Sequence, residues 1–261
     1  MTAYAFLAVD IGNTRVKWGW RLIHADARAH DAHTDWTATG ACRHEDFARD
    51  FAAPWAVDDV RALVCSVAAE SLTQGVVKRL IANGLRVERF GVQPRAGGVE
   101  NRYRAPTLGA DRFAAAIGAR AHRPTGALVV ASFGTATTID TVSPDQAYLG
   151  GVILPGVELM FDALAHGTAR LPRAMLIDAP VAFPSDTAEA IAEGVARAQL
   201  GALAQTWRVA IATFGTASLI LTGGGLGALR ERVADVTGAN FLVADNLVLD
   251  GLVRAATHHS P

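Results

Sequence analysis

The residues at the end of the first predicted strand have the types and spacing for phosphate chemistry. Asp10 closes an apolar run, and Gly12, Asn13, Thr14 and Lys17 follow it around a turn. Gly12 tolerates a positive φ and lets backbone amides approach an anion, and the three residues after it can donate hydrogen bonds or charge. Because carboxylates repel phosphates, the natural role of Asp10 is to hold Mg²⁺ beside them. The segment predicts a nucleoside triphosphate site on a hairpin, although the same residue types also form turns that need no ligand.

A second segment of the same kind lies about half a chain further on. Residues 127–140 predict an apolar strand, a turn with Gly134 and Thr135, and a β-branched returning strand that includes Thr137. Two such units suggest duplicated halves that face one another, with phosphates bound between the two hairpins and the active site in the cleft.

Asp111 is the strongest single candidate for catalysis. It follows Gly109 and Ala110 at the start of an alanine-rich helix, and Arg112 comes next. An acidic residue there complements the helix dipole, but that role does not explain the arginine. A carboxylate beside a bound hydroxyl can act as a general base, and an arginine can bind a substrate carboxylate through two bonds. We therefore predict a substrate pocket with Asp111 as the base and with Arg112 and Tyr103 as substrate-binding residues.

The glycine run Gly223-Gly224-Gly225 has two interpretations. Together with Ala228 it matches the Gly-x-Gly-x-x-Ala form of a dinucleotide-binding fingerprint, and Asp245 lies at the end of the next predicted strand. That interpretation conflicts with its position, because the chain ends one helix later. Alternatively, bare glycines let an adenine ring lie flat on the backbone, and the two upstream hairpins favour this second interpretation.

Composition excludes several classes of protein. The chain has 261 residues, of which 51% are hydrophobic, and a formal net charge of −1. Near-neutral charge without a basic block argues against nucleic acid as a partner. An apolar stretch long enough to cross a membrane is missing, as are the features of a signal peptide. The two cysteines are too few for a disulfide framework or a metal site. We expect a cytoplasmic protein without a nucleic-acid or membrane partner.

Alternating strands and helices predict an α/β fold with mixed sheets, divided into halves over 1–122 and 123–261. An ordered loop is expected over 91–107. Strands are predicted at 4–10, 15–21, 61–67, 85–90, 127–132, 136–142, 147–154, 217–222 and 240–244, and helices at 71–83, 109–122, 157–166, 187–206, 226–236 and 246–257. Ser185 or Asp186 can cap the fourth of these helices.

In this order, the motifs of the chain resemble those of the type III pantothenate kinases, a family that includes the Bordetella-type virulence accessory factors. The resemblance runs nearly end to end. The motifs that carry it are Asp10-Ile11-Gly12-Asn13-Thr14, Tyr103 before Pro106, Gly109-Ala110-Asp111-Arg112, Gly134-Thr135-Ala136-Thr137-Thr138, Gly150-Gly151-Val152-Ile153-Leu154-Pro155-Gly156, Thr168-Ala169-Arg170-Leu171-Pro172 and Thr222-Gly223-Gly224-Gly225.

The resemblance implies a fold of two ribonuclease-H-like halves, of the actin, Hsp70 and sugar-kinase type. It implies ATP-dependent phosphorylation of pantothenate, the first step of coenzyme A synthesis, by a homodimer that needs Mg²⁺ and a monovalent cation, K⁺ or NH₄⁺. Alternatives are a kinase of this fold that acts on another small hydroxyl substrate, and a regulatory protein that keeps a nucleotide site.

By match of motif, each candidate residue takes a role from the family. Asp111 is the base for the pantothenate hydroxyl, and Asp10 organises the metal. Pantothenate is bound by Tyr103, Gly109, Ala110, Asp111, Arg112 and, across the dimer, Thr187. ATP is bound by Asp10, Gly12, Asn13, Thr14, Lys17, Gly134, Thr135, Thr137, Gly223, Gly224 and Gly225. The family commonly has an aspartate linked to the monovalent cation where this chain has Ser132, which predicts weak dependence on that cation.

Overall fold

The computed structural model describes residues 3–24, 36–51 and 60–258. Its strands are β1 (Ala3–Ile11), β2 (Arg15–His24), β3 (Ala38–Arg43), β4 (Val60–Ser66), β5 (Arg86–Arg89), β6 (Arg95–Ala96), β7 (Val99–Asn101), β8 (Ala127–Phe133), β9 (Ala136–Val142), β10 (Ala147–Pro155), β11 (Ala217–Thr222) and β12 (Phe241–Val243). Its helices are α1 (Phe47–Asp50), α2 (Glu70–Ala82), α3 (Ala110–His122), α4 (Val157–Gly167), α5 (Thr187–Phe214), α6 (Arg230–Thr237) and α7 (Leu247–Thr257).

The chain forms two compact units. The first contains residues up to 125, a short piece at 146–148 and the chain from 246 onward, and the second contains 126–145 and 149–245. The predicted halves, 1–122 and 123–261, would place α7 in the second half, whereas in the structure α7 belongs to the first unit. That helix packs against α3, where Gly118 and Gly251 allow the two backbones to approach: a Cβ on Gly251 would lie 1.9 Å from the Ala114 carbonyl oxygen.

The main sheet of the first unit, within the described residues, has the strand order β3-β2-β1-β4-β5. The β1–β2 and β2–β3 pairs are antiparallel, whereas β1–β4 and β4–β5 are parallel. Strand periodicity separates the two faces of β1. Leu7, Val9 and Ile11 are fully buried in a core with Leu80 of α2, and Asp10 therefore projects from the other face.

The described strands of the second unit repeat this order as β10-β9-β8-β11-β12. Again the central strand pairs antiparallel with the strand that follows its turn, β8 with β9, and parallel with β11 on its other side. The core is built from Val129, Ala131 and Leu221 of the sheet with Leu200 and Leu203 of α5. The expected duplication is thus present in the order and direction of the strands.

Several elements differ from those that the sequence predicts. β3 is not predicted, because its Ala-Thr-Gly-Ala-Cys composition is weak strand material. It forms by pairing with β2, and Gly40 lies against Trp18 so closely that a Cβ would be 2.3 Å from the indole ring. β6 and β7 occupy part of the expected loop, and α5 continues to Phe214 rather than ending at 206. No helix in the described part of the chain is long and apolar enough to span a membrane.

Candidate active site

The first turn joins β1 to β2 and exposes the predicted phosphate-binding residues. The Gly12 amide donates to the Arg15 carbonyl oxygen at 3.0 Å, which closes the turn, and Asn13 and Thr14 are exposed at its tip. Gly12 does not adopt the positive φ that a glycine tolerates at this position. A Cβ there would lie 3.4 Å from the Arg15 oxygen, which is an ordinary van der Waals contact, so this turn does not require glycine on steric grounds.

Asp10 lies between three residues that the sheet and α3 bring to it. It is opposite Lys17 on β2 and opposite Cys65 on β4. The pKa of Asp10 is raised to about 7, mainly because burial desolvates the carboxylate and secondly because Asp111 is negatively charged. The positive charge of Lys17 lowers this pKa and offsets part of the increase. Burial, with the charges of Asp10 and Asp111, also raises the pKa of the Cys65 thiol. The structure therefore brings the two predicted carboxylates, Asp10 and Asp111, into one electrostatic environment.

Gly109 gives Asp111 its position. Gly109 precedes α3 in an extended conformation, and Ala110 is the first helical residue. The Asp111 carboxylate turns back and accepts a hydrogen bond from the Arg112 amide at 2.8 Å. A Cβ at residue 109 would lie 2.6 Å from the Asp111 Oδ1, so only glycine leaves room for this orientation.

Arg112 and Tyr103 are in contact, as a shared pocket requires. The Arg112 guanidinium carbon lies 5.8 Å from the centre of the Tyr103 ring, within the range of a cation–π interaction. Tyr103 packs in turn against Tyr148, with ring centres 6.2 Å apart, and Tyr148 is fully buried. Arg112 is itself 7% exposed, so its guanidinium is held by packing rather than free in solvent.

The second turn, between β8 and β9, has similar geometry. The Gly134 amide donates to the Ala136 carbonyl oxygen at 3.1 Å, and Gly134 and Thr135 are exposed. Gly156 supports this turn by donating its amide to the Thr135 carbonyl oxygen at 2.9 Å. A Cβ on Gly156 would lie 2.2 Å from the Gly134 oxygen, so a glycine is required at this contact.

The glycine run after β11 lies against the same turn. Gly223 has φ +100°, and a Cβ there would be 2.3 Å from the Phe133 carbonyl oxygen. Gly225 donates its amide to that oxygen at 2.8 Å, whereas Gly224 is open. The second unit thus brings the predicted phosphate turn and the predicted adenosine turn together.

Ser132 occupies the position in β8 that Asp10 occupies in β1, two residues before the turn glycine. Its neighbours are Thr138 on β9 and Thr222 on β11. The second unit therefore has hydroxyl groups where the first has a carboxylate.

Two further predicted site residues, Thr137 and Thr187, do not lie at the exposed tips of the two turns. Thr137 is fully buried, and its Oγ1 has no hydrogen-bond partner within the described part of the chain, so it does not share the exposure of Thr135. Thr187 is exposed as the first residue of α5, after Asp186, whose carboxylate caps the helix by accepting from the Ala188 and Glu189 amides. The cap at Asp186 confirms one of the two predicted capping residues.

His44 and Gly156 each contact one of the two turns, although the sequence predicts no such role for either residue. The His44 Nε2 lies 2.8 Å from the Gly12 carbonyl oxygen. No motif signals this histidine, because it follows β3, which only tertiary pairing forms. Gly156 is the last residue of the family motif over 150–156, but its contact with the second turn cannot be deduced from spacing.

The carboxylates fit a magnesium site. Magnesium prefers hard oxygen ligands and keeps several waters, so one or two protein carboxylates suffice beside substrate phosphates. The charge of Asp111 adds to the cost of ionising Asp10, and a divalent cation beside Asp10 would offset that cost. In the described ranges no cluster of three or more acidic, histidine or cysteine side chains could hold a metal alone. The donors present thus suit a metal that arrives with a nucleotide.

The fold belongs to the actin, Hsp70 and sugar-kinase class. A 2-dehydro-3-deoxygalactonokinase protein from Sinorhizobium meliloti superposes with a TM-score of 0.51 at 17% identity, over 96% of this chain and 98% of that one. A Baf-family protein from Campylobacter jejuni, described as a transcriptional activator, gives a TM-score of 0.57 at 21% identity over 95% of both chains. At these identities the likeness shows the fold alone.

The sequence defines the family within that class. The model of the type III pantothenate kinase family matches residues 6–209. The type III pantothenate kinase of Bordetella bronchiseptica is 39% identical over 281 aligned residues, with 98% of both chains covered. That of Herminiimonas arsenicoxydans is 38% identical over 262, again with 98% coverage of both. The chain belongs to the type III pantothenate kinase family, and the glycine run is therefore part of a kinase rather than of a dinucleotide-dependent oxidoreductase.

Proposed function

We propose that this chain transfers the γ-phosphate of ATP to the hydroxyl of pantothenate, which yields 4′-phosphopantothenate for coenzyme A synthesis. The observation that carries the proposal is the shared environment of Asp10 and Asp111, beside the Arg112–Tyr103 pair, in a chain of this family. Asp10 lies next to the first phosphate turn, where it can bind a metal. Asp111 lies next to Arg112, which can bind a carboxylate, and can act there as the general base.

Each group has a defined task in the transfer. Phosphoryl transfer depends on positioning and charge neutralisation more than on covalent chemistry. Asp111 accepts the hydroxyl proton as the oxygen attacks the γ-phosphorus, and Arg112 binds the pantothenate carboxylate. Gly12, Asn13, Thr14 and Lys17 of the first turn, and Gly134 and Thr135 of the second, bind the phosphates. Asp10 would hold Mg²⁺, which supplies positive charge to the triphosphate.

Assays of ADP release test this function. We expect turnover with pantothenate and little with a panel of other hydroxy acids and sugars. Asp111→Asn should lower kcat by about 10²–10⁴-fold, the usual contribution of a general base, with ATP binding retained. Asp235→Asn, an exposed aspartate of α6, is the matched control. Nucleotide binding without turnover of any acceptor would favour a regulatory protein, and turnover of another acceptor would favour a different kinase.

The proposal includes a homodimer in which Thr187 acts on the partner's substrate. Its support is apolar surface in the second unit: Ile153 is 61% exposed, Met175 73% and Phe183 91%. Surfaces of this kind often mark interfaces. Mixing Thr187→Ala with Asp111→Asn tests it, since a mixed dimer would contain one intact site. Activity that reappears on mixing supports the shared site, whereas an inactive mixture of confirmed mixed dimers contradicts it.

The remaining parts of the proposal concern cofactors and location. Mg²⁺ is the divalent cofactor, and K⁺ or NH₄⁺ acts weakly because Ser132 supplies only a neutral oxygen. We place the reaction in the cytoplasm, without a nucleic-acid or membrane partner. Both cysteines, Cys42 and Cys65, are free and buried, which suits a reducing compartment.

A further inference from the structure

A cavity lies in the first unit, away from Asp10. Its volume is about 330 Å³, and it is lined by the first part of β1, by β4 and β5, by residues 93–97 and by the end of α7. Tyr4 of β1 lines the cavity, and it precedes Asp10 by six residues on the same strand. At a rise of roughly 3.3 Å per residue the two positions are about 20 Å apart, so the cavity is distinct from the candidate active site.

The cavity has an excess of positive charge. Arg61, Arg89 and Arg95 line it, and Glu88 is the acidic residue among its lining side chains. The charge of Arg89 is balanced by Glu70, to which Arg89 donates two hydrogen bonds at 2.9 and 3.0 Å. The other two arginines retain charge that can act on a ligand.

Arg95 and Arg61 differ in the groups that surround their guanidinium groups. Arg95 lies 3.6 Å from Glu100, but this carboxylate also accepts two hydrogen bonds from Arg102. Arg61 lies over the Tyr4 ring at 5.2 Å and has no ion pair within the described ranges. An arginine that is held against an aromatic ring and lacks a carboxylate is well placed to bind an anion.

A further arginine holds part of the cavity lining in place. Arg254 of α7 donates from Nε to the Gly97 carbonyl oxygen at 2.7 Å, and a Cβ on Gly98 would lie 3.0 Å from the His258 Nε2. Desolvation lowers the pKa of Arg254, and desolvation together with Arg254 lowers that of Arg120 to about 10. Arg254 thus adds positive charge beside Gly97, a residue that lines the cavity.

We propose that this cavity is a second ligand site that binds a small phosphate-bearing molecule, with Arg61 and Arg95 as the residues that recognise the phosphate. Guanidinium groups match phosphate oxygens in geometry and charge. The volume is at the lower end of the ~300–1,000 Å³ that small-molecule sites occupy. Glu88 can accept a hydrogen bond from a hydroxyl or amine on the same ligand. The proposal does not depend on the reaction proposed above.

Titration calorimetry with inorganic pyrophosphate tests the site on the full-length chain at constant ionic strength. We expect saturable binding that weakens about tenfold or more in Arg61→Gln, the loss typical of one hydrogen-bonded charge. Arg95→Gln should weaken it as well, and it provides a second test if Arg61→Gln fails to fold. Arg86→Gln is the matched control, because this arginine is exposed on β5 and does not line the cavity.

Lys17→Gln separates the cavity from the phosphate turn. Pyrophosphate binding that survives in Lys17→Gln and is lost in Arg61→Gln supports the proposal. No saturable binding, or binding that is lost only in Lys17→Gln, overturns it. Citrate is the carboxylate comparison, and citrate that binds as tightly as pyrophosphate would overturn the assignment to phosphate.

Discussion

His44 donates a hydrogen bond from Nε2 to the carbonyl oxygen of Gly12 at 2.8 Å, and so ties the short turn after β3 to the first phosphate turn. The other ring nitrogen, Nδ1, is buried and has no hydrogen-bond partner in the described ranges. The hydrogen bonding of the His44 ring is therefore directed to this turn, at whose tip Asn13 and Thr14 are exposed.

We expect His44→Ala to raise the KM for ATP by about tenfold, the equivalent of one lost hydrogen bond to an ordered carbonyl, with a smaller effect on the KM for pantothenate. Steady-state kinetics with each substrate varied in turn measures this difference. His166→Ala, an exposed histidine at the end of α4, is the control. Equal changes in both KM values would show that His44 only supports the fold.

Gly109→Ala should lower kcat without unfolding the protein. The new Cβ would lie 2.6 Å from the Asp111 Oδ1, and the carboxylate is the flexible partner, so it moves. A small displacement of a catalytic group can cost about 10²-fold in rate. Gly75→Ala in α2 is the control, because its Cβ meets nothing within 4 Å and should stabilise the helix by about 1 kcal/mol. Wild-type kcat in Gly109→Ala would mean that Asp111 does not need its observed orientation.

Asp10→Asn should raise the Mg²⁺ concentration needed for half-maximal rate, and high Mg²⁺ should restore part of the activity. The amide keeps the shape of Asp10 but removes the charge that attracts the cation. The measurement is a Mg²⁺ titration of the rate at saturating substrates, with Asp235→Asn as the control. A titration identical to that of the wild type would exclude Asp10 from the metal site.

Dependence on K⁺ or NH₄⁺ should be weak in the wild type and tighter in Ser132→Asp. Ser132 is flanked by Thr138 and Thr222, so a cation there would meet neutral oxygens, whereas aspartate adds a full charge. Rates are measured against K⁺ at fixed ionic strength, with a bulky inert cation as the replacement. Saturation of the wild type at low K⁺ would show that other residues form the cation site.

Glu193 should make the second unit sensitive to acid. Burial opposes its ionisation, but hydrogen bonds from Arg232, the Val181 amide and Arg197 lower its pKa below the usual value. Because the pKa is lowered in the folded state, this stabilisation is present above the unfolded-state pKa and is lost as the pH falls through the folded one.

We expect Glu193→Gln to cost about 1–3 kcal/mol at neutral pH, since it leaves Arg232, whose side chain is only 12% exposed, without its countercharge. The difference from the wild type should shrink in acid. Thermal melts from pH 7 to about pH 3 would show it, with Glu231→Gln on exposed α6 surface as the control. A difference that stays constant over this range would contradict the ion-pair explanation.

The local features of the fold can be predicted from the amino-acid sequence. The two strand–turn–strand segments, the start of α3 at the Gly109–Arg112 motif and the cap at Asp186 follow from local apolar periodicity, turn chemistry and capping, and the order of the motifs specified the family. These features need no knowledge of distant contacts, since each is a preference of a short stretch of chain.

Contacts between residues that are distant in the chain depend on tertiary packing. Asp10 and Asp111 are about a hundred positions apart, and only the packing of α3 beside β4, the strand next to β1, couples their charges. β3 is too weak a strand to form without β2, and so the position of His44 was hidden. α7 joins the first unit through glycine contacts with α3, and the arginine-lined cavity collects residues from both ends of the chain. Such contacts arise from shape and burial over long sequence separations, for which a local pattern carries no signal.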